Sequence, residues 1–307
     1  MATIINHDLR CVNGATIFMP PYIGGQSGWG NLAIPDVNND IDTAQQYPMG
    51  TILRSDERAW RYATVCDDLD IDGADRNIRR GSAVHSMATI NSYTDKLVTE
   101  TGFNTLAVYK VKVDMTTHVN CFGTATSVAA NEYAGGHFTL YTSSSYWGCR
   151  VIENTVEDSD GYVELTLESP LPVALTSSHI LMFEENMYWS VVYPGTNCNQ
   201  SATVGFPCIW ELYKTIASGT GGVTAGSHIW LQTWGPYEGI IMGNAHGAGE
   251  TERMQYFCGT GYPDKDYYPN SNLNHPQIGG WHTACNAGTD SDFDYNYLTT
   301  FFLMIAP

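Results

Sequence analysis

The fold of this chain is decided by one stretch, His228-Ile229-Trp230-Leu231-Gln232-Thr233-Trp234-Gly235-Pro236. Its side chains alternate between two bulky faces: Ile229, Leu231 and Thr233 on one, Trp230 and Trp234 on the other. A strand with two such faces is covered on both sides, which predicts a position at the centre of a sheet or at a subunit contact. Because proline cannot donate a ladder hydrogen bond, we expect the strand to end at Gly235-Pro236.

The rest of the chain favours a mainly β fold. Its 307 residues include 19 Tyr, 8 Trp, 30 Gly and 13 Pro, and aromatic residues favour strands whereas Gly and Pro favour turns. Period-2 alternation predicts strands with one face in a core and one in water, and the predicted strands cover residues 58–63, 107–113, 137–141, 147–152, 163–167, 180–183, 188–192 and 298–306. Strands spaced this closely indicate an antiparallel barrel or sandwich.

Four segments organise the chain, whose length suits about two domains or one large all-β domain. Residues 1–46 form an extended N-terminal arm, which either drapes over a neighbouring subunit or packs on its own domain. Residues 47–104 are a β and irregular segment, in which a helix is predicted near residues 84–98. Residues 105–236 form the β-rich core domain. Residues 237–307 are a loop-rich acidic insertion that ends in a core strand.

The net charge of the chain limits the kinds of partner that it can bind. The formal net charge is −18, with 3 basic and 17 acidic residues in 151–307 against 11 basic and 15 acidic residues in 1–150. This balance argues against binding a nucleic-acid backbone, which requires clustered Lys and Arg. The first half therefore carries nearly all the groups that could pair with an acidic partner, unless the charge serves solubility alone. With no secretion signal and no apolar run of about 18 residues, we expect no membrane partner.

One acidic stretch is a candidate cation site. Asp68, Asp70 and Asp72, followed by Gly73, match the start of an EF-hand calcium loop. The position that should hold a bidentate Glu is Arg79, so the alternative is a solvated acidic turn. The scattered histidines and the remaining carboxylates form no catalytic or cofactor-binding motif. The sequence therefore predicts a protein without enzymatic activity and without a cofactor.

The chain has eight cysteines, and none forms a Cys-x-x-Cys pair. In the absence of a secretion signal we expect reduced cysteines in the core. The alternative by proximity in sequence is a disulfide between Cys198 and Cys208, which would close a short loop.

Several ordered blocks carry a family resemblance. They are Tyr47-Pro48-Met49-Gly50, Arg58-Ala59-Trp60-Arg61-Tyr62, Glu132-Tyr133-Ala134-Gly135-Gly136, Arg150-Val151-Ile152, Leu165-Thr166-Leu167-Glu168-Ser169-Pro170-Leu171, Ala174-Leu175-Thr176 and Trp230-Leu231-Gln232-Thr233-Trp234-Gly235-Pro236. In these blocks the chain resembles a family of virion structural proteins from tailed bacteriophages. The resemblance spans about residues 47–236. It does not extend to 237–297, where the family pattern has a small β ending and this chain has loops.

The resemblance implies a capsid decoration, or cement, protein on the head exterior of a virion assembled in the host cytoplasm. Its partners would be the major capsid protein and further copies of itself in a homotrimer. The capsid-contact candidates are Arg54, Arg58, Trp60, Arg61 and Tyr62, and the subunit-packing candidates are Trp230, Leu231 and Trp234.

Two other functions stay open. The loops of 240–297 could bind host glycans, because binding residues often lie on loops of a rigid β scaffold. We expect aromatic residues of this segment, such as Trp281, to be exposed and able to stack on sugars. A polysaccharide depolymerase is the third hypothesis, although no constellation of residues supports it.

Overall fold

The computed structural model describes 18 strands and no helix among its described residues. Those residues are 8–12, 14–19, 35–66, 84–86, 90–94, 96–98, 100–116, 118, 126–192, 203–209, 223, 226–240, 254–257, 263–264, 277–282 and 298–305. All strand pairs within them are antiparallel. The prediction of a mainly β, antiparallel fold is confirmed. The described residues contain no helix that is long and apolar enough to cross a membrane.

Twelve strands form the large sheet. They are β1 (Asp8–Val12), β2 (Ala15–Met19), β3 (Ile52–Ser55), β4 (Arg58–Thr64), β5 (Val84–Ser86), β12 (Val191–Val192), β13 (Thr203–Pro207), β14 (His228–Ile240), β15 (Met254–Phe257), β16 (Pro263–Asp264), β17 (Gln277–His282) and β18 (Leu298–Met304). The main path runs β1-β2-β3-β4-β14-β18-β17-β15-β16, and β13, β5 and β12 branch from β14. Strand β14 is therefore the junction of the sheet.

Both faces of β14 are covered within the subunit, as its pattern predicts. Trp230 belongs to one buried cluster with Tyr47 and Tyr62, whereas Ile229 and Leu231 belong to a second cluster on the opposite face. Alternation of side chains along the strand sends neighbouring residues into these two separate cores.

The predicted end of this strand at Gly235-Pro236 is wrong, because β14 continues to Ile240. Pairing with β4 stops at Trp234, after which β14 pairs with β18, where Pro236 lies opposite Phe302. At Pro236 the strand no longer has β4 beside it, so no backbone N–H is needed for a hydrogen bond on that side. Proline is tolerated at such an edge position.

The remaining six strands form a second sheet in the order β6-β11-β8-β9-β10-β7. They are β6 (Ile90–Thr94), β7 (Lys110–Asp114), β8 (His137–Thr142), β9 (Ser145–Asn154), β10 (Tyr162–Leu167) and β11 (Ile180–Glu184). The chain after β6 returns to the opposite edge: Val98 N donates to Lys112 O at 3.2 Å, and Asp114 N donates to Lys96 O at 2.8 Å. The sheet is therefore curved, with residues 96–98 beside β7, and it has its own apolar core.

The helix predicted near residues 84–98 is wrong, since β5 and β6 occupy that region. Val84 is buried against β13, and Tyr93 is buried in the six-stranded sheet. The Thr, Ser and Asn residues that weaken a helix interior are tolerated in strands, and tertiary pairing decides the outcome.

The C-terminal segment is less loop-like than predicted, because 237–297 also contains β15, β16 and β17. Gly279 and Gly280, in the segment predicted to be loop-rich, lie inside β17, which pairs with β18. Gly280 has φ +144°, and a Cβ there would clash with the carbonyl oxygen of Phe302. Glycine at this position permits close strand approach.

Strands β1 and β2 of the predicted arm pair with each other, and β2 also pairs with β3, which extends the large sheet. Ala15 and Ile17 are buried in the core shared with Trp230. This part of the arm therefore packs on its own chain. The sheets also cross the other predicted boundaries, because β4, β14 and β18 come from three different segments and lie side by side.

The described cysteines correct the expected redox pattern. Cys208 is buried and takes part in no disulfide, so the alternative of a Cys198–Cys208 disulfide is wrong. Cys11 and Cys149 are not in disulfides either. Cys66, which is half-buried, is disulfide-bonded. The expectation of reduced cysteines thus holds for the buried Cys149 and Cys208 but not for Cys66.

Candidate functional site

Two of the predicted contact residues lie on the surface of the β3–β4 hairpin. Arg54 and Arg58 are exposed on either side of a turn made by Asp56 and Glu57. The Arg58 guanidinium carbon lies 5.1 Å from the ring centre of Trp60, and that of Arg54 lies 5.5 Å from the ring centre of Phe18. Such cation–π contacts orient an arginine without removing it from solvent.

The other three residues of that predicted set are not surface groups. Trp60 is 3 % exposed and Tyr62 is fully buried, so their assignment as direct capsid contacts is wrong. Tyr62 Oη donates to Asp42 Oδ2 at 2.6 Å, and burial together with this acceptor raises the pKa of the phenol. Arg61 is half-buried and donates to Gly50 O at 3.2 Å. Alternation along β4 does not explain the split, because Arg58, Trp60 and Tyr62 lie on the same face of the strand. Arg58 is exposed because it stands next to the turn, at the start of β4, whereas Trp60 and Tyr62 lie further along that face in the core.

The predicted subunit-packing residues lie mainly inside the chain. Trp230 is 1 % exposed and Leu231 is fully buried, so these two pack within one subunit and not between subunits. Trp234 is half-buried, with its ring centre 5.6 Å from that of Phe302 in an edge arrangement. The candidate cation ligands Asp68, Asp70 and Asp72 lie outside the described residues.

The structure brings together a cluster that the sequence does not reveal. His118, Glu132 and Glu185 are all buried, at 1 %, 6 % and 3 % exposure. One ligand atom from each residue lies within 4.8 Å of the other two. His118 follows β7, Glu132 lies in the turns before β8, and Glu185 comes directly after β11. A buried group of one imidazole and two carboxylates is a ligand set for a divalent cation.

Each of two members has one polar atom fixed and the other turned toward the cluster. Glu132 Oε2 accepts a hydrogen bond from Ala129 N at 2.6 Å, while Oε1 lies 2.9 Å from His118 Nε2. On the other side of the imidazole, Tyr133 Oη lies 3.1 Å from His118 Nδ1. The short contact between His118 Nε2 and the Glu132 carboxylate is an ion pair when the imidazole is protonated.

Buried amides hold this cluster in place. Asn154 Oδ1 accepts from Tyr133 N at 2.8 Å, and its Nδ2 donates to Ala129 O at 2.9 Å. Asn186 Nδ2 lies 3.2 Å from Ala134 O and 3.3 Å from Met49 O. Met49 belongs to the core of the large sheet and Ala134 to the turns before β8, so Asn186 joins the two sheets next to the cluster.

A glycine lets the two backbone segments of the cluster approach each other. A Cβ at Gly136 would clash with Glu184 O and reach 3.0 Å from the carbonyl carbon of Glu185. The close approach brings the turns that carry Glu132 against the chain that carries Glu185.

Electrostatic effects in the cluster follow from burial and neighbouring charge. Burial alone would lower the pKa of His118, but the contact with Glu132 and the charges of Glu185 and Glu157 outweigh it, so the pKa is raised. Burial, aided by nearby negative charge, raises the pKa of Tyr133, and burial raises the pKa of Tyr93 to about 12. Both phenols therefore stay neutral beside the carboxylates at neutral pH.

Sequence reasoning missed this cluster because its members are 14 and 53 residues apart along the chain, and common metal-site patterns depend on short spacing. The only local signal is Glu132 directly before the Tyr133-Ala134-Gly135-Gly136 turn block.

Comparisons with protein-family models, curated proteins and solved structures give no match for this chain. The fold and the geometry thus define an all-β protein of two antiparallel sheets, and its function is argued from its own residues.

Proposed function

We propose that the chain is a virion structural protein of a tailed bacteriophage that decorates the exterior of the capsid and stabilises it. The family resemblance of residues 47–236 motivates this proposal. The observation that carries it in the structure is the surface of the β3–β4 hairpin, where Arg54 and Arg58 are exposed and each lies over an aromatic ring.

The charges of this hairpin favour a protein as its partner. Arg54 and Arg58 flank the exposed acids Asp56 and Glu57, so the tip of the hairpin presents positive and negative charges within residues 54–58. A patterned surface of this kind matches a complementary protein surface, which also carries both signs, better than a uniformly charged polymer. The major capsid protein is the partner that the proposal assigns to it.

The stabilising mechanism would be physical. A subunit that bridges neighbouring capsid proteins buries surface that must be exposed again before the shell can open. Many copies on one particle add their effects, and a subunit held at two points rebinds faster than it escapes.

Self-association to a homotrimer belongs to the same proposal. Leu106 and Val173 are 62 % and 39 % exposed, and they lie on two loops joined by hydrogen bonds from Ala107 N to Leu171 O and from Leu175 N to Asn104 O. Neighbouring exposed apolar side chains favour a protein contact. Light scattering on the purified chain should give the mass of a trimer, and Leu106→Asp should lower it; a monomer for the wild type contradicts this part of the proposal.

The decoration role is tested on virions whose genome encodes this chain. Quantitative mass spectrometry of purified particles should find hundreds of copies per head, and cryo-electron microscopy should place them on the exterior. Absence from the particle, or a few copies at the tail, contradicts the proposal. Arg58→Glu and Arg54→Glu should lower occupancy on particles that lack the wild-type chain. Lys110→Glu, an equal charge change at an exposed site of the other sheet, should leave occupancy unchanged.

Binding of host glycans is a second candidate, favoured by one residue. Trp281 is 38 % exposed, and its ring is stacked on Phe302 with centres 4.7 Å apart and planes 3° apart. A tryptophan supported in this way can offer an apolar face to a sugar. Adsorption of the isolated protein to host cells that is lost in Trp281→Ala but kept in Tyr146→Ala, an exposed aromatic on the six-stranded sheet, would favour this function over decoration alone.

A further inference from the structure

We propose that His118, Glu132 and Glu185 form a buried binding site for one divalent transition-metal ion, with Zn²⁺ as the preferred metal. The three residues come from three separate parts of the six-stranded sheet and lie beside its junction with the large sheet. The site is independent of the decoration role proposed above.

The distances fit a metal centre. Bonds of about 2.1 Å from Zn²⁺ to nitrogen and oxygen place neighbouring tetrahedral ligands about 3.4 Å apart. The three donor atoms lie within 4.8 Å of one another, and His118 Nε2 and Glu132 Oε1 are already 2.9 Å apart. A metal between them thus requires side-chain adjustments smaller than a rotamer change, with a water as the fourth ligand.

The orientation of the buried imidazole is the second observation. The His118 side chain has no exposed surface, and its Nε2 lies 2.9 Å from Glu132 Oε1. Its Nδ1 is next to Tyr133 Oη at 3.1 Å. A metal-binding histidine is oriented in this way: one ring nitrogen binds the metal while the other is fixed by a hydrogen bond in the next layer of residues. Glu132 follows the same pattern, because Ala129 N holds Oε2 and leaves Oε1 toward the cluster.

The mixed donor set selects the kind of metal. An imidazole nitrogen favours zinc and its first-row neighbours over Ca²⁺ and Mg²⁺, which prefer oxygen ligands alone. The two carboxylates supply the negative charge that a dication neutralises, which is valuable because uncompensated buried charge is costly.

A structural role follows from the burial of the site. Three protein ligands and a water are also the ligand set of catalytic zinc, but catalytic zinc keeps the fourth position open to substrate, whereas structural zinc is enclosed. None of the three ligands is more than 6 % exposed. The bound ion would tie the turns before β8 to the chain after β11, at the place where Asn186 links the six-stranded sheet to the large sheet.

The test uses the full chain purified without added metal, stripped with a chelator and titrated with Zn²⁺, Mn²⁺, Ca²⁺ or Mg²⁺. Calorimetry should show one Zn²⁺ per chain at this site, and the melting temperature should rise with Zn²⁺ but not with Ca²⁺ or Mg²⁺. Glu185→Gln should weaken Zn²⁺ affinity at least about tenfold. Glu184→Gln is the matched control, since it removes the same charge from the exposed neighbouring residue and should bind like the wild type.

Two results would overturn the site: no Zn²⁺ uptake by the wild type, or equal affinity in Glu185→Gln and Glu184→Gln. Should Glu185→Gln fail to fold, X-ray absorption on the zinc-loaded wild type decides instead. Nitrogen and oxygen ligands without sulfur support the site, and a sulfur-dominated shell places the metal on cysteines and refutes it.

Discussion

Replacement of Trp230 tests the central claim about β14, that its aromatic face is core and not interface. The residue is 1 % exposed, and its ring centre lies 5.1 Å from those of both Tyr47 and Tyr62. Truncation of a buried Trp to Ala costs about 3–5 kcal/mol through lost burial and the cavity left behind. The free energy of unfolding should fall by about this amount.

An unpaired donor at Trp230 reduces the expected loss of unfolding free energy and suggests a second variant. Trp230 Nε1 is buried without a hydrogen bond, and an unsatisfied buried donor costs about 1–3 kcal/mol. Trp230→Phe keeps a ring against the two tyrosines and removes the donor. Its loss of packing is therefore largely offset, and we expect a change within about 1 kcal/mol of the wild type. Trp234→Ala, at a half-buried position, should cost about 1–2 kcal/mol.

Urea unfolding followed by far-ultraviolet circular dichroism measures all three variants, because this signal does not depend on the tryptophan that is removed. The expected order of stability is Trp230→Phe, then Trp234→Ala, then Trp230→Ala. A loss below about 1.5 kcal/mol in Trp230→Ala would contradict the packing argument. So would an unfolding midpoint that depends on protein concentration in the wild type but not in this variant, since that result places Trp230 in a subunit interface.

Three further predictions concern other parts of the chain. Gly136→Ala should destabilise the protein by at least about 2 kcal/mol in the same assay, because its Cβ would meet backbone that cannot move as a side chain does; wild-type stability would show that the turns can shift. Burial lowers the pKa of His228 below the value of about 6.5 in the unfolded chain, so its contribution is complete above that pH and is lost as pH falls through it. Compared with His228→Gln, the wild type should therefore lose stability as pH falls below about 6.5, whereas the exposed-site variant His137→Gln should follow the wild type; parallel curves for His228→Gln would refute this. Native protein should react with iodoacetamide at the exposed Cys11 and not at Cys149, where burial raises the thiol pKa to about 11, and equal labelling by mass spectrometry would contradict the burial of Cys149.

Alternation along the chain was enough to predict much of the β structure. The prediction for 163–167 corresponds to β10, in which Val163, Leu165 and Leu167 are buried and the residues between them are half-exposed. The helix predicted near residues 84–98 fails where the period is weak, because β5 and β6 are short and gain their stability from partners far away in sequence. The loop-rich prediction for the C-terminal segment is weakened for a related reason: glycine is typical of turns, but at Gly280 it is what the close approach of β17 and β18 requires.

The surface candidates show the same limit. The block around Trp60 is distinctive in sequence, but only the exposure of each side chain separates Arg54 and Arg58 from Trp60 and Tyr62. Both faces of β4 meet a core, since Trp60 and Tyr62 belong to one buried cluster and Ala63 to another. Which distant segments cover each part of those faces is not written in any local pattern.

By itself, the sequence determined that this protein is an acidic, antiparallel β protein with a strand at 228–234 covered on both faces, because periodicity and composition act over a few neighbouring residues. Only the tertiary structure decided that β14 runs on to Ile240 along β18, and that His118, Glu132 and Glu185 meet. Such contacts depend on which distant segments share a core. They stabilise the protein only after the loops between those segments have closed, at a cost in chain entropy.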